Sequence, residues 1–210
     1  MLYDEIISSA MAYADRTDAS VSSKIGIFLS IVESRISRYI HTQDMVIITD
    51  IIIIANTFLY PLPADFLTLR GITIKDSLNP KNAYQLNYVN PGTMDDIVRI
   101  GNYSQSYTMI GNNVMIASLP NVDDTETSYV LEISYYKDIP PLNATDNENW
   151  LSILSPDAYI FGLMVEISSF VKDKEAAIMW DSRFKNSLDE LGAQDDLHLY
   201  GGPPIITKIG

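Results

Sequence analysis

NWLSILSPDAYIFGLMVEISSFVKDKEAAIMWDSRFKNSLDEL, residues 149–191, decides the reading of this 210-residue chain. Asn147 or Asn149 can cap a short turn over residues 150–154. Ser155-Pro156-Asp157 then supplies an N-cap hydroxyl, a proline at the first helical position and a carboxylate at the positive end of the dipole. The signals predict a helix over residues 156–171 that is apolar on most of its circumference, the mark of a buried helix. Asp173 caps the next, over 174–191, where Ala177, Trp180, Phe184, Leu188 and Leu191 form one stripe and Gly192 supplies the stop. This is more apolar surface than a surface hairpin uses, and it holds no catalytic or metal-ligand spacing. The reading is of helices that pack on one another and on neighbouring copies of the chain.

The opposite end of the chain is helical too. Residues 2–14 place Leu2, Ile6, Ala10 and Tyr13 at helical spacing. The polar run 15–18 ends that helix and offers N-caps for a second over residues 20–40, where Val21, Ile25, Phe28, Val32, Ile36 and Tyr39 step by three and four. After His41 the period changes. The Ile-rich run VIITDIIIIA (46–55) is too short to span a bilayer and, being β-branched, reads as strand. Further strands are expected over 58–62, 67–75 and 129–137, with 83–89 able to pair with the 67–75 strand. Asn90-Pro91 opens a short helix to Ile100, and 107–110 with 114–117 form a hairpin around Gly111. The expected class is α+β: a helical bundle from the N- and C-terminal helices with a small antiparallel β region inserted at 44–137. Residues 1–192 make the domain, and 193–210 a C-terminal arm without a core of its own.

Composition limits the function. A hydrophobic fraction of 47% and a charged fraction of 20% describe a folded, soluble protein. With 14 basic against 27 acidic residues the net charge is −13, which speaks against affinity won by neutralising phosphates. The absence of cysteine removes disulfides and thiolate chemistry, and the start MLYDEIISSAM has no signal-peptide pattern.

No catalytic, cofactor-binding or metal site is assigned, and the chain is read as a non-enzyme. His41 follows a helix end and His198 lies in the acidic tail, neither at triad or metal spacing. The carboxylate pairs Asp95/Asp96, Asp123/Asp124 and Asp195/Asp196 lack the alternating oxygen ligands of a calcium loop. Two charges stand out instead. Arg35 falls at the edge of the apolar stripe of Phe28, Val32 and Tyr39, and Glu166 lies within the mostly apolar 156–171 helix. A buried charge is costly unless paired, so each needs a partner inside the fold or across a subunit boundary. Pairing with each other would make their two helices neighbours. The 13 tyrosines suit protein contacts, where the ring buries and the hydroxyl stays wet.

Four segments in order carry a resemblance: Val32-Glu33-Ser34-Arg35-Ile36-Ser37-Arg38; Tyr60-Pro61-Leu62-Pro63-Ala64-Asp65-Phe66-Leu67-Thr68-Leu69-Arg70; residues 131–142 (LEISYYKDIPPL) followed by Asn149-Trp150-Leu151; and Ser155-Pro156-Asp157-Ala158-Tyr159-Ile160-Phe161-Gly162, with Asp173-Lys174-Glu175 and Trp180-Asp181-Ser182-Arg183-Phe184 after it. Together they resemble the head–tail connector, or adaptor, proteins of tailed phages, the podovirus P22-type adaptors among them. That resemblance implies a virion protein at the head–tail interface, assembled in the host cytoplasm. It implies a closed homo-oligomeric ring of about twelve copies beneath the portal protein, docking tail (nozzle or fibre-type) proteins. Double-stranded DNA passes through the ring without sequence-specific binding, and no membrane or cofactor is involved. Arg35, Arg38, Glu166, Tyr159 and Trp180 are the subunit-interface candidates. Leu197, Leu199, Tyr200, Pro203, Pro204, Ile205 and Ile206 are the candidates for a portal-binding arm. The alternatives are a virion-associated cell-wall glycan hydrolase and a monomeric β-rich ligand-binding module.

Overall fold

A computed structural model describes residues 1–15, 18–54, 57–77, 79, 81–100, 105–117 and 129–200, without the side chains of 196–200. In chain order, α1 (Tyr3–Tyr13), α2 (Ala19–Ser22) and α3 (Ile25–Tyr39) lead through a 3₁₀ turn, Gln43–Met45, into the strands. These are β1 (Val46–Ile52), β2 (Leu59–Pro61), β3 (Phe66–Asp76), β4 (Ala83–Gln85) and β5 (Asn87–Tyr88). Helix α4 (Pro91–Ile100) precedes β6 (Ser106–Ile110), β7 (Asn113–Ile116) and β8 (Tyr129–Lys137). The chain closes with α5 (Trp150–Leu154), α6 (Pro156–Phe170) and α7 (Lys174–Tyr200). The class is α+β, and the chain divides into two compact units, residues 1–44 with 139–210 and residues 45–138.

In the helical unit, α6 packs against α1, α3, α5 and α7. Its burial follows from its sequence: Ala158, Tyr159, Leu163, Met164 and Ile167 are all buried, on every side of the helix. Gly162 lets two helices come close at once. A Cβ placed there would stand 2.5 Å from Val32 Cγ1 on α3 and 3.1 Å from Phe184 Cε2 on α7. The linker into this unit is clamped by α3, whose Glu33 carboxylate accepts the Leu142 N–H at 2.7 Å.

Several local expectations are corrected. The helix expected over 20–40 is broken at Ser23-Lys24, where the Lys24 N–H returns to Val21 and α3 starts afresh. Lys24 takes φ −106° and ψ −5°, away from helical values, and its N–H bonds three residues back, so the four-back ladder is interrupted there. Asp18 stands at an N-cap position but makes no side-chain cap bond. The Ser155 hydroxyl likewise donates to Asp157 rather than capping α6. Asn149 and Asp173 cap as expected, accepting from the N–H groups of Ser152 and Ala176. Gly192 is no stop: α7 runs through it to Tyr200. A glycine ends a helix by taking a left-handed conformation; Gly192 stays helical, flanked by buried Leu188 and Leu191 and by Asp195, which accepts the Gln43 N–H at 3.0 Å.

Among the described residues the β unit holds two four-stranded sheets, ordered β1-β8-β3-β4 and β2-β7-β6-β5. All pairings are antiparallel except β5 with β6. The stretch 83–89 is therefore shared: β4 pairs with β3 as expected, while β5 crosses to the other sheet. Ile53, Tyr60, Leu62, Ile72, Ile74, Leu131 and Ile133 join Val114 and Ile116 in one core. Gly111, at φ +58°, makes the β6–β7 turn. Asp65 accepts the Tyr135 hydroxyl at 2.9 Å, and Phe66 packs on the same ring at 5.6 Å between centroids. Burial first, then Asp65, pushes the Tyr135 pKa up to about 12.

Candidate functional site

Arg35 is the centre of a three-helix ion cluster. From α3 its Nη1 reaches Glu166 Oε1 on α6 at 3.3 Å and its Nη2 reaches Asp181 Oδ1 on α7 at 2.6 Å. The guanidinium also lies 4.9 Å over the Phe184 ring. Asp181 has a second cation, Lys185 one turn on, at 2.7 Å. Lys185 first, then Arg35, holds the Asp181 carboxyl below the ordinary carboxylate range against the upward pull of partial burial. Of the alternatives the sequence leaves open for these two charges, pairing with each other is the one present, and α3 and α6 are neighbours. Asp181 is the member that pattern reading missed. Its signal was the (i, i+4) spacing to Lys185 on the face bordering the α7 stripe.

Two of the interface candidates lie inside this chain's own core. Tyr159 is fully buried, and its hydroxyl accepts Asn149 Nδ2 at 2.8 Å. The same Nδ2 donates to the Pro140 carbonyl at 2.8 Å, and burial pushes the Tyr159 pKa up. Tyr159 thus has no surface to offer a neighbour; on a helix apolar all round, the sequence does not separate own-core contacts from contacts with another copy. Trp180 is buried between Tyr13 and Phe161, at centroid distances of 5.9 and 5.7 Å, with Arg183 over its ring. Arg35 and Glu166 are tied to each other, so the cluster braces the helices rather than presenting free charge. Arg38 is exposed.

The surface that is open is apolar. Ile27 (55% exposed), Ile31 (40%) and Arg38 step down one outward face of α3. Ile178 on α7 is 73% exposed. Ile31 lies one turn before Arg35, and Ile178 one turn before Asp181, so both border the cluster that fixes their helices. Phe170 is half-exposed and packs against Phe28 at 5.5 Å between centroids. Exposed aliphatic side chains on helices braced in this way are suited to bury against another protein. A half-open cleft of about 290 Å³ lies elsewhere in the helical unit, lined by Thr42, Gln43, Asp44, Leu154, Leu191, Gln194 and Asp195.

The other sequence candidates fall as follows. Asp96 pairs with Arg99 on the exposed face of α4, while Asp123 and Asp124 lie outside the described residues. His41 is exposed, and the side chain of His198 is not described. Leu197, Leu199 and Tyr200 belong to the last turn of α7 rather than to an irregular arm; Pro203, Pro204, Ile205 and Ile206 lie outside the described residues. Among the described residues no three acidic or histidine side chains converge as a metal site, and no helix is long and apolar enough to cross a membrane.

Compared with known families, residues 1–206 match the family model described as SU10 adaptor protein. No curated protein matches the sequence.

Proposed function

The chain belongs to the SU10 adaptor protein family of phage structural adaptors, and from that premise we propose that copies of it form a ring at the head–tail junction. The ring sits beneath the portal, continues the DNA channel and receives tail proteins. The observation that carries this reading is the family match over residues 1–206. The exposed stripe of Ile27, Ile31 and Ile178 supports it physically. Subunits pack through these helices, and the Arg35 cluster keeps each helix in place while its outer face is covered.

The charge fits the same task. A channel that DNA must traverse gains from repelling phosphates, and −13 per chain, multiplied round a ring, keeps the duplex from adhering. The test is the solution mass of the full-length chain, alone and mixed with purified portal rings. A closed complex carrying one copy per portal subunit is expected. A monomer under both conditions sinks the proposal.

A further inference from the structure

Among the described residues, strand β1 is an open edge. It pairs with β8 and ends the β1-β8-β3-β4 sheet. The Ile53 N–H bonds to Tyr129 in the ladder to β8, so by antiparallel alternation the backbone groups of Ile48, Asp50 and Ile52 point away from the sheet. Their side chains are open as well: Ile48 is 62%, Ile52 66% and neighbouring Ile54 61% exposed. Long apolar edges are what folded proteins ordinarily blunt, because they template a further strand. Among the described residues no cation meets the charge at the centre of this edge. Asp50 stands opposite Glu132, another carboxylate, whose own cation is Lys75. Two β1 strands brought together antiparallel about Asp50 would set aspartate against aspartate, which disfavours that self-pairing.

The chain carries the complementary strand. Residues 47–51 read Ile47-Ile48-Thr49-Asp50-Ile51, and residues 205–209 read Ile205-Ile206-Thr207-Lys208-Ile209. The two words differ at one position, where acid is replaced by base. Laid parallel and in register, Ile205, Thr207 and Ile209 continue the face of Ile47, Thr49 and Ile51. Ile206 falls beside Ile48, and Lys208 meets Asp50. We propose that residues 205–209 of a second copy add as a fifth strand to the β1 edge, with Lys208 paired to Asp50. An edge and a strand on the same chain make a head-to-tail contact, in which every copy gives one strand and receives one; such contacts form a ring where the rotation between copies closes. The resemblance assigns this tail to the portal; the complementarity assigns residues 205–209 to the neighbouring copy. The inference rests on the copies meeting as proposed above.

The chain has no cysteine, so introduced ones report cleanly. Full-length Ile48→Cys and full-length Ile206→Cys chains are mixed in a glutathione redox buffer, and disulfide-linked heterodimer is read on non-reducing gels. Heterodimer is expected. Its yield should fall about fivefold when Lys208→Asp is added to the second chain, the scale of one cross-strand charge pair. It should return when Asp50→Lys is added to the first. Absence of heterodimer, or a yield indifferent to both charges, overturns the proposal. So does a chain carrying both cysteines that closes on itself at high dilution. Light scattering on the unsubstituted chain, with and without portal rings, keeps the two readings apart. Copies that assemble without this cross-link remove the strand pairing and leave the ring.

Discussion

Gly162 on α6 and Val32 on α3 meet at a separation that leaves no room for a methyl group: a Cβ on Gly162 would lie 2.5 Å from Val32 Cγ1. Gly162→Ala therefore sets two effects against each other. Alanine favours the helix by about 1 kcal/mol over glycine, while overpacking a tight core costs about 1–3 kcal/mol. With Val32 below any real contact distance and Phe184 at 3.1 Å behind it, the steric cost wins. The expected result is a lower urea midpoint, partly restored by adding Val32→Ala. A Gly162→Ala chain more stable than the parent would show that α3 and α7 do not approach α6 in this way.

Arg35→Ala leaves Glu166 without its cation and Asp181 with Lys185 alone. The three side chains keep 19–30% of their surface in water, so the cost sits below that of a fully buried pair, at about 1–2 kcal/mol. Its pH dependence has a definite sign. The Asp181 pKa is depressed in the folded chain, by Lys185 first and Arg35 after it. That contribution is present above the ordinary carboxylate range and is lost as pH falls through the lowered value. Urea melts of parent and variant should thus differ at pH 7 and draw together towards pH 3. A constant gap across that range would contradict an ionic origin.

What the sequence made legible, and what it hid, follows from the range of the forces involved. Caps and periods are local, so Asn149, Asp173 and the stripe from Ala177 to Leu191 placed α5, α6 and α7 to within a residue or two at their starts. The Arg35–Glu166 pair was legible because a charge on an apolar face demands a partner. Three things were not legible. Gly192 carries a stop signal that packing of Leu188 and Leu191 overrides, the usual defeat of propensity by tertiary contact. The division of 83–89 between two sheets depends on β6, some twenty residues further on. Tyr159 and Trp180 look alike as large residues on apolar helices, and only coordinates show that both are consumed by the core of their own chain.

Lys172 ends α6 in a conformation that suits glycine. It takes φ +65°, while the Asp173 N–H reaches the Ser168 carbonyl at 2.9 Å and the Lys172 N–H the Ser169 carbonyl at 3.1 Å, the two bonds of a Schellman motif. A side chain in that left-handed well costs about 1 kcal/mol. Lys172→Gly relieves it at an exposed turn and should raise stability by about 0.5–1 kcal/mol, read as a higher melting temperature with an unchanged denaturant slope. A loss of stability would mean that the lysine makes a contact outweighing the backbone strain.

Asn149 joins three pieces of chain through one side chain. Its Oδ1 accepts the Ser152 N–H at 2.8 Å, and its Nδ2 donates to the Pro140 carbonyl and the Tyr159 hydroxyl, both at 2.8 Å. Asn149→Ala removes a helix cap and strands buried polar atoms, which together cost about 2–3 kcal/mol. Asn149→Asp keeps the cap but loses both donations. It should recover only part of the loss in a urea melt. Full recovery by aspartate would reduce Asn149 to a cap and remove its part in holding the linker.

The exposed stripe separates assembly from folding. Ile27 and Ile178 are 55% and 73% exposed, so Ile27→Asp and Ile178→Asp should change folding stability by no more than about 0.5 kcal/mol. Trp180→Ala is the contrast: it empties a site packed by Tyr13 and Phe161 and should cost about 3–5 kcal/mol. Loss of assembly in that variant would carry no information about a surface. In the two aspartate variants the far-ultraviolet melt should match the parent, while the mass reached with portal rings drops towards the monomer, because a charge buried between subunits has no partner there. If both variants assemble as the parent does, the stripe faces solvent in the particle, and the subunit contact must be sought on another face.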